Sequence, residues 1–248
     1  MAIEFGIRAW AACAPALQSR EAWQAWSQAP WLPEGSDLPT LAAMAPMLRR
    51  RVNAIGRAAL HPAYDIAPDT AAATVFASRH GDTRRAFEML SALAAGEPLS
   101  PTAFGLSVHN AIGAMFTIDR GDASNLLAVA AGRDTVETAV VEACGLLADG
   151  ADEVLLVCYD APLPEAYAEF ADEPGCLFGW AWRIGKPRAG EPVWRLDVVR
   201  PLAGDQGDPD TAHPVLPHAL DVLRFMLAGE AVLTHRGERA IWRWQRRG

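Results

Sequence analysis

The sequence predicts an α/β fold: a mostly parallel sheet flanked by helices, with a small C-terminal appendage. Three observations predict it. Apolar runs of strand length, such as Val154–Cys158, alternate along the chain with segments of helical periodicity. With 248 residues, 51% of them hydrophobic, and a mean hydropathy of +0.05, the chain can bury a sizeable core. A stretch rich in Asp, Gly and Pro, Gly204–Pro217, then separates a final helix and strand from the rest. The expected organisation is an α/β domain over residues 1–200, with residues 201–248 as an appendage packed on it.

Residues 2–9 alternate, with Ile3, Phe5 and Ile7 on one face, and read as a strand. Trp23 and Trp26, spaced i, i+3 within the Pro-rich stretch Pro15–Pro39, predict a short helix laid on the body. Met44–Leu60 is expected as one helix started at Pro46. Its apolar positions are Leu48, Val52, Ile55 and Leu60, with Arg49-Arg50-Arg51 mostly on the wet side. Ala72–Ala77 is the next strand, and Ser78–Asp82 the loop that leaves it. Asp82 is suited to cap a helix running to about Ala95, with Phe87, Leu90 and Ala94 inward and Gly96 as its stop.

A helix over Ser107–Ile118 and a strand over Leu126–Ala130 follow. Asp134 and Glu137 then have the spacing of a capping box at the start of a helix. The stripe of that helix is Val136, Ala139, Val140, Ala143 and Leu147, and Gly150 closes it. Val154–Cys158 reads as a strand buried on both faces. Cys176–Ile184 and Val193–Val199 read as strands around the turn Gly185–Gly190, His218–Leu227 as a helix, and Arg239–Arg246 as an alternating basic and apolar segment.

Composition excludes several classes of function. A net charge of −8 argues against a nucleic-acid surface, although residues 234–248 hold five Arg and one Glu. Cys13, Cys144, Cys158 and Cys176 lack C-x-x-C spacing, so reduced thiols in a cytoplasmic protein are expected. No apolar run approaches the ~20 residues of a membrane span. The apolar stretch Ala9–Leu17 follows Glu4 without the cationic start of a secretory signal, and Trp10-Ala-Ala-Cys13 lacks the aliphatic residue of a lipoprotein processing site. No residue spacing resembles a metal site, no Gly-rich phosphate loop follows a strand, and no cofactor is expected.

Several residues could carry chemistry. Cys158 ends a buried strand, where α/β proteins place active sites, and could be a nucleophile served by His80 or His109. That gives an alternative function, a free-standing acyl-thioester hydrolase or acyltransferase; the competing reading of Cys158 is a small core residue. Arg79, His80 and Asp82 could hold an anion or form a turn fastened by an Arg–Asp pair. Ser107 and His109, at i, i+2, point apart on a helix and are not a catalytic pair. Trp180/Trp182 and Trp242/Trp244 share strand faces as interface or as packing. A further possibility is a homodimeric module whose basic tail meets an acidic carrier protein.

One family resemblance draws these segments together. The stretches Gly105-Leu-Ser-Val-His-Asn-Ala-Ile-Gly-Ala-Met-Phe-Thr-Ile118 and Leu126-Leu-Ala-Val-Ala-Ala-Gly-Arg-Asp-Thr135 resemble the nucleophile region of a β-ketoacyl synthase. Phe76-Ala-Ser-Arg-His-Gly-Asp82 and Gly96-Glu-Pro-Leu-Ser-Pro-Thr-Ala-Phe104 are similar to chain-length-factor-like proteins of aryl polyene and xanthomonadin pigment biosynthesis. The likeness covers about residues 70–165, with weaker matches at Pro46–Arg51 and Leu216–Gly229. It implies a truncated thiolase-like fold, a single ketosynthase N-terminal half. It also implies a non-catalytic subunit that pairs with a catalytic β-ketoacyl-ACP synthase and meets the acyl carrier protein through that complex. Where the family carries its nucleophilic Cys, this chain has Gly132 or Arg133, and neither can form a thioester. The His-Gly-Thr-Gly-Thr and Asn-His motifs of the family's second half are also not found. By the same resemblance Phe104, Val108, His109, Asn110, Met115 and Phe116 are expected at the partner interface, shaping the floor of the partner's acyl tunnel.

Overall fold

A computed structural model describes residues 2–199, 215–238 and 240–247; most of the expected linker Gly204–Pro217, residues 204–214, therefore lies outside the described residues. Eight strands form one sheet in the order β3-β2-β4-β5-β1-β6-β8-β7. They are β1 (Ala2–Cys13), β2 (Ala73–Ala77), β3 (Leu126–Val129), β4 (Glu153–Asp160), β5 (Phe178–Gly185), β6 (Val193–Val199), β7 (Val232–Arg236) and β8 (Ile241–Arg247). The helices are α1 (Arg20–Gln28), α2 (Pro46–Arg49), α3 (Ala54–Ile66), α4 (Thr83–Ala94), α5 (Pro101–Ser107), α6 (Ala111–Arg120), α7 (Thr135–Ala148) and α8 (His218–Ala228).

The expected α/β layering holds, but the sheet is mixed, not mostly parallel. Only β2 pairs in parallel, with β3 and β4. The other five pairings, β4–β5, β5–β1, β1–β6, β6–β8 and β8–β7, are antiparallel. Helical crossovers serve the three parallel strands, whereas β5–β6 and β7–β8 are joined by short turns that can only connect antiparallel neighbours. β1 links two halves of the sheet. Its residues Gly6–Cys13 pair with β5, and Ala2–Phe5 pair with β6. The strands on both sides of residue 200 thus belong to one sheet in one domain.

β4 is buried on both faces, and its side chains enter two cores alternately. Val154, Leu156 and Cys158 face a core shared with α1, α7 and α8, while Leu155, Val157 and Tyr159 face one shared with α3 and α6. Gly179 of β5 lets α3 lie directly on the sheet: a Cβ there would overlap the Ala58 carbonyl. Trp180 and Trp182 are fully buried beneath α8, and the Trp180 indole N–H donates to the Ala219 carbonyl at 3.0 Å. Trp244 is likewise buried, so these tryptophans are packing, not an exposed face.

Three local expectations are corrected. The helix over Met44–Leu60 is two helices, because Asn53 turns outward to cap α3 by accepting from the Gly56 N–H at 3.2 Å. The helix over Ser107–Ile118 is likewise divided, α5 ending at Ser107 and α6 starting after Asn110. α4 is capped by Asp82 and stopped at Gly96 as expected, yet it buries no residue, and Leu90 lies 56% exposed on it.

Candidate functional site

The elbow between β3 and α7 is a tight 3₁₀ turn, Gly132–Asp134, with Gly132 in the left-handed region at φ +56°. Thr135 staples it: its hydroxyl donates to the Gly132 carbonyl at 2.7 Å and accepts from the Ala131 N–H at 3.0 Å. The Glu238 carboxylate occupies the space a side chain at Gly132 would need, and accepts from the Arg133 N–H at 3.3 Å. The C-terminal hairpin thus covers the place where the resemblance puts a nucleophile.

The expected capping box is not formed. Asp134 is at the N-cap of α7, but its carboxylate accepts from the Trp242 indole at 2.7 Å and the Glu238 N–H at 3.1 Å. Glu137 does not reach back to Asp134 either. It is fully buried, accepts from the Trp244 indole at 2.9 Å, and meets His218 Nε2 at 2.6 Å. Each indole–carboxylate bond is charge-assisted, a class worth about 1.5–3 kcal/mol. A box spends two carboxylates locally; here both fasten β8, more than a hundred positions downstream.

The imidazole of His218 stacks on that of His235, centroids 3.3 Å apart, and His235 Nε2 lies 2.8 Å from the Arg133 carbonyl. Burial alone would raise the Glu137 carboxyl, but His218 and its other hydrogen-bond donors hold it below its usual range. His218 is raised because Glu137 outweighs its burial, whereas burial and the His218 charge push His235 down to about 4. Sequence reading missed this cluster because its members lie far apart in the chain; only the paired tryptophans hinted at a demand for buried acceptors.

The residues expected at a partner interface divide into two groups. Phe104, Val108 and Asn110 are exposed. His109 is half-buried, with Nε2 2.9 Å from the Ser78 carbonyl, and holds the loop after β2. Met115 and Phe116 are corrected: both are buried in this chain's own core. Phe116 packs edge-on against Tyr64 at 5.0 Å and against Phe76 at 5.8 Å. Helical periodicity turns them inward while Ile118, on the same helix, faces out at 67% exposure. Leu90, Leu93 and Leu99 add to the exposed apolar surface of α4 and the segment after it. β3, an uncharged strand with Ala128 exposed, forms the adjoining edge of the sheet.

The other candidates are accounted for locally. Arg79 pairs with Asp172 at 2.7 Å and Glu173 at 2.8 Å, not with Asp82, so two carboxylates already match its charge. Asp82 instead bonds Arg85 and Asn53. Ser107 Oγ donates to the Phe104 carbonyl. Cys158 is 1% exposed, and burial pushes its thiol well above the ordinary range, with Asp160 and Glu137 adding to the effect. That overturns the reading of Cys158 as a nucleophile. Among the described residues no helix is long and apolar enough to cross a membrane.

Comparison with known proteins agrees with this architecture. The family described as beta-ketoacyl synthase, N-terminal domain, matches residues 23–245. Among solved structures, the ketosynthase (ApeO) in complex with its chain length factor (ApeC) from Xenorhabdus doucetiae contains a similar chain. The TM-score is 0.82 at 26% identity, over 98% of this chain and 99% of that one. The ishigamide ketosynthase/chain length factor shares the fold at a TM-score of 0.62 and 16% identity, over 81% of this chain and 68% of that one. A β-ketoacyl synthase from Burkholderia phymatum shares it at 0.55 and 10%, over 74% and 59%. A search of curated proteins by sequence finds no match.

Proposed function

This chain belongs to the β-ketoacyl synthase N-terminal domain family, and from that premise we propose that it is a non-catalytic, chain-length-factor-like subunit of a ketosynthase heterodimer. Its fold is the thiolase-like fold of that domain, a mixed sheet between helix layers. The observation that carries the proposal is the exposed β3 edge together with the exposed apolar side chains of the α4–α6 run. An uncharged edge strand packed on α6, with Leu93, Phe104, Val108 and Ile118 exposed on the helical run that precedes it, calls for a covering chain, since unpaired ladder groups and exposed apolar surface are both costly in water. The similarity to a ketosynthase–chain length factor complex supports a catalytic ketosynthase as the cover.

The elbow supports the non-catalytic half of the reading. A condensing enzyme holds its acyl chain on a thiolate, and neither Gly132 nor Arg133 supplies one. The Arg133 amide at the start of the elbow helix is taken by Glu238, a group that would repel a thiolate or oxyanion. The chain therefore acts by shape. Phe104 and Val108, pressed against the partner, would form part of the floor of its acyl tunnel. A close-packed floor rejects further carbons because overpacking costs ~1–3 kcal/mol. The growing polyene, of the aryl polyene type, would reach the complex on an acyl carrier protein delivered to the catalytic subunit.

The test is co-expression with a catalytic ketosynthase from the same aryl polyene-type gene cluster, one chain tagged, followed by size-exclusion chromatography and chain extension on a loaded carrier. A one-to-one complex that extends acyl carriers when neither chain does alone is the expected result. A homodimer that ignores the ketosynthase refutes the proposal.

A further inference from the structure

We propose that Glu137, His218 and His235 form a binding site for a four-coordinate divalent metal ion, with Zn²⁺ the ion its ligand set fits best. The three side chains converge from α7, the start of α8 and β7, and their donor atoms all lie within 4.8 Å of one another. Tetrahedral zinc with bonds of ~2.0–2.2 Å needs donors ~3.4 Å apart, so on binding the His218 and His235 rings, stacked within 12° of parallel, would turn until their lone pairs converge on the ion. One carboxylate and two imidazoles form a recurrent zinc set.

Two further features point to a ligand. Glu137 is fully buried, and while its Oε1 takes both the Trp244 and His218 bonds, Oε2 has no hydrogen-bond partner among the described residues. A buried carboxylate oxygen left unsatisfied is costly, and a cation is the partner that relieves it most. The second feature is the outer shell. His235 Nε2 donates to the Arg133 carbonyl, which fixes the tautomer and leaves Nδ1 with a free lone pair, the arrangement that orients metal-binding imidazoles. The Trp244 indole orients Glu137 in the same way.

Room and access argue for a structural, four-coordinate ion. His218 and His235 are each 8% exposed and stacked, which leaves little room for the several waters an octahedral ion keeps. Bound there, the ion would fasten the elbow helix to both elements of the C-terminal hairpin region. This inference stands on the cluster alone and does not depend on the partner proposed above.

The test starts from tag-free protein purified without chelator, measured for metal by plasma mass spectrometry. The chelator-treated protein is then titrated with ZnCl₂ and with CoCl₂. Expected are about one equivalent of Zn²⁺, a visible absorption of four-coordinate Co²⁺, and a fall in Tm on chelation of the order of 5–10 °C. His235→Gln keeps a donor for the Arg133 carbonyl, so it should fold yet lose the metal and the chelator effect. Failure to bind either ion, with an unchanged Tm, overturns the proposal and leaves a metal-free Glu137–His218 ion pair. Zinc bound equally by His235→Gln also overturns it, because the ion would then lie elsewhere.

Discussion

Phe104→Ala should separate partner binding from folding. Phe104 is 62% exposed on α5. An aromatic side chain presents ~200 Å², so about 125 Å² of Phe104 is open to a partner. At ~25 cal/mol per Å² its complete burial is worth at most about 3 kcal/mol. Truncation should therefore weaken the heterodimer by up to about two orders of magnitude in Kd, mostly through faster dissociation. The isolated chain should keep its Tm, because exposed substitutions usually stay within about 0.5 kcal/mol. The assay is surface plasmon resonance against the immobilised ketosynthase, with thermal unfolding of the free chain alongside. A Kd change below about threefold with an intact fold would place Phe104 outside the interface and remove the central element of the docking face.

Phe116→Ala should behave in the opposite way, costing about 3–5 kcal/mol of stability in urea unfolding, because its ring is enclosed by Tyr64 and Phe76. Gly179→Ala forces a Cβ into the Ala58 backbone and should lower stability by about 1–3 kcal/mol, with α3 displaced; an unchanged Tm would contradict the close contact. The thiols should resist iodoacetamide in the native protein at pH 8. Burial raises Cys13, Cys144 and Cys176 to about 12 and lifts Cys158 well above the ordinary thiol range, so all remain protonated until the chain unfolds; rapid labelling of Cys158 would reopen thioester chemistry. Glu238→Ala should expose the Arg133 N–H and cost about 1 kcal/mol without creating condensing activity, read by unfolding and by carrier acylation.

The parts of the fold legible in the sequence are those whose signal is local. The α7 stripe, the two-sided β4 run and the Asp82 cap all come from neighbouring residues, and all three are found in place. The sheet's mixed character was not legible, because pairing direction leaves no mark on periodicity and β1 finds its neighbours near the far end of the chain. β7 escaped notice because Val232–Arg236 is short and carries its polar residues on an edge. Asp134 and Glu137 had the right spacing for a cap, yet two indoles and an imidazole from distant segments competed for their oxygens and won. At the candidate site the sequence marked the elbow and put both Phe104 and Phe116 in one expected interface group, of which the structure leaves Phe104 exposed and buries Phe116. It could not tell Phe104 from Phe116, since facing in or out depends on where α5 ends and α6 begins.

The double pairing of β1 bears on how the molecule is made. β1 is an inner strand, and both strands that flank it come from residues 178–199, synthesised long after it. Until those arrive, Ala2–Cys13 has two open edges and an apolar face waiting for α7, α8 and the late tryptophans. This part of the sheet can therefore close only after the later strands are made. Such distant pairings fold slowly and leave nascent chains prone to aggregate. Yield in a heterologous host should accordingly respond more to chaperone supply and slow expression than to changes on the finished surface.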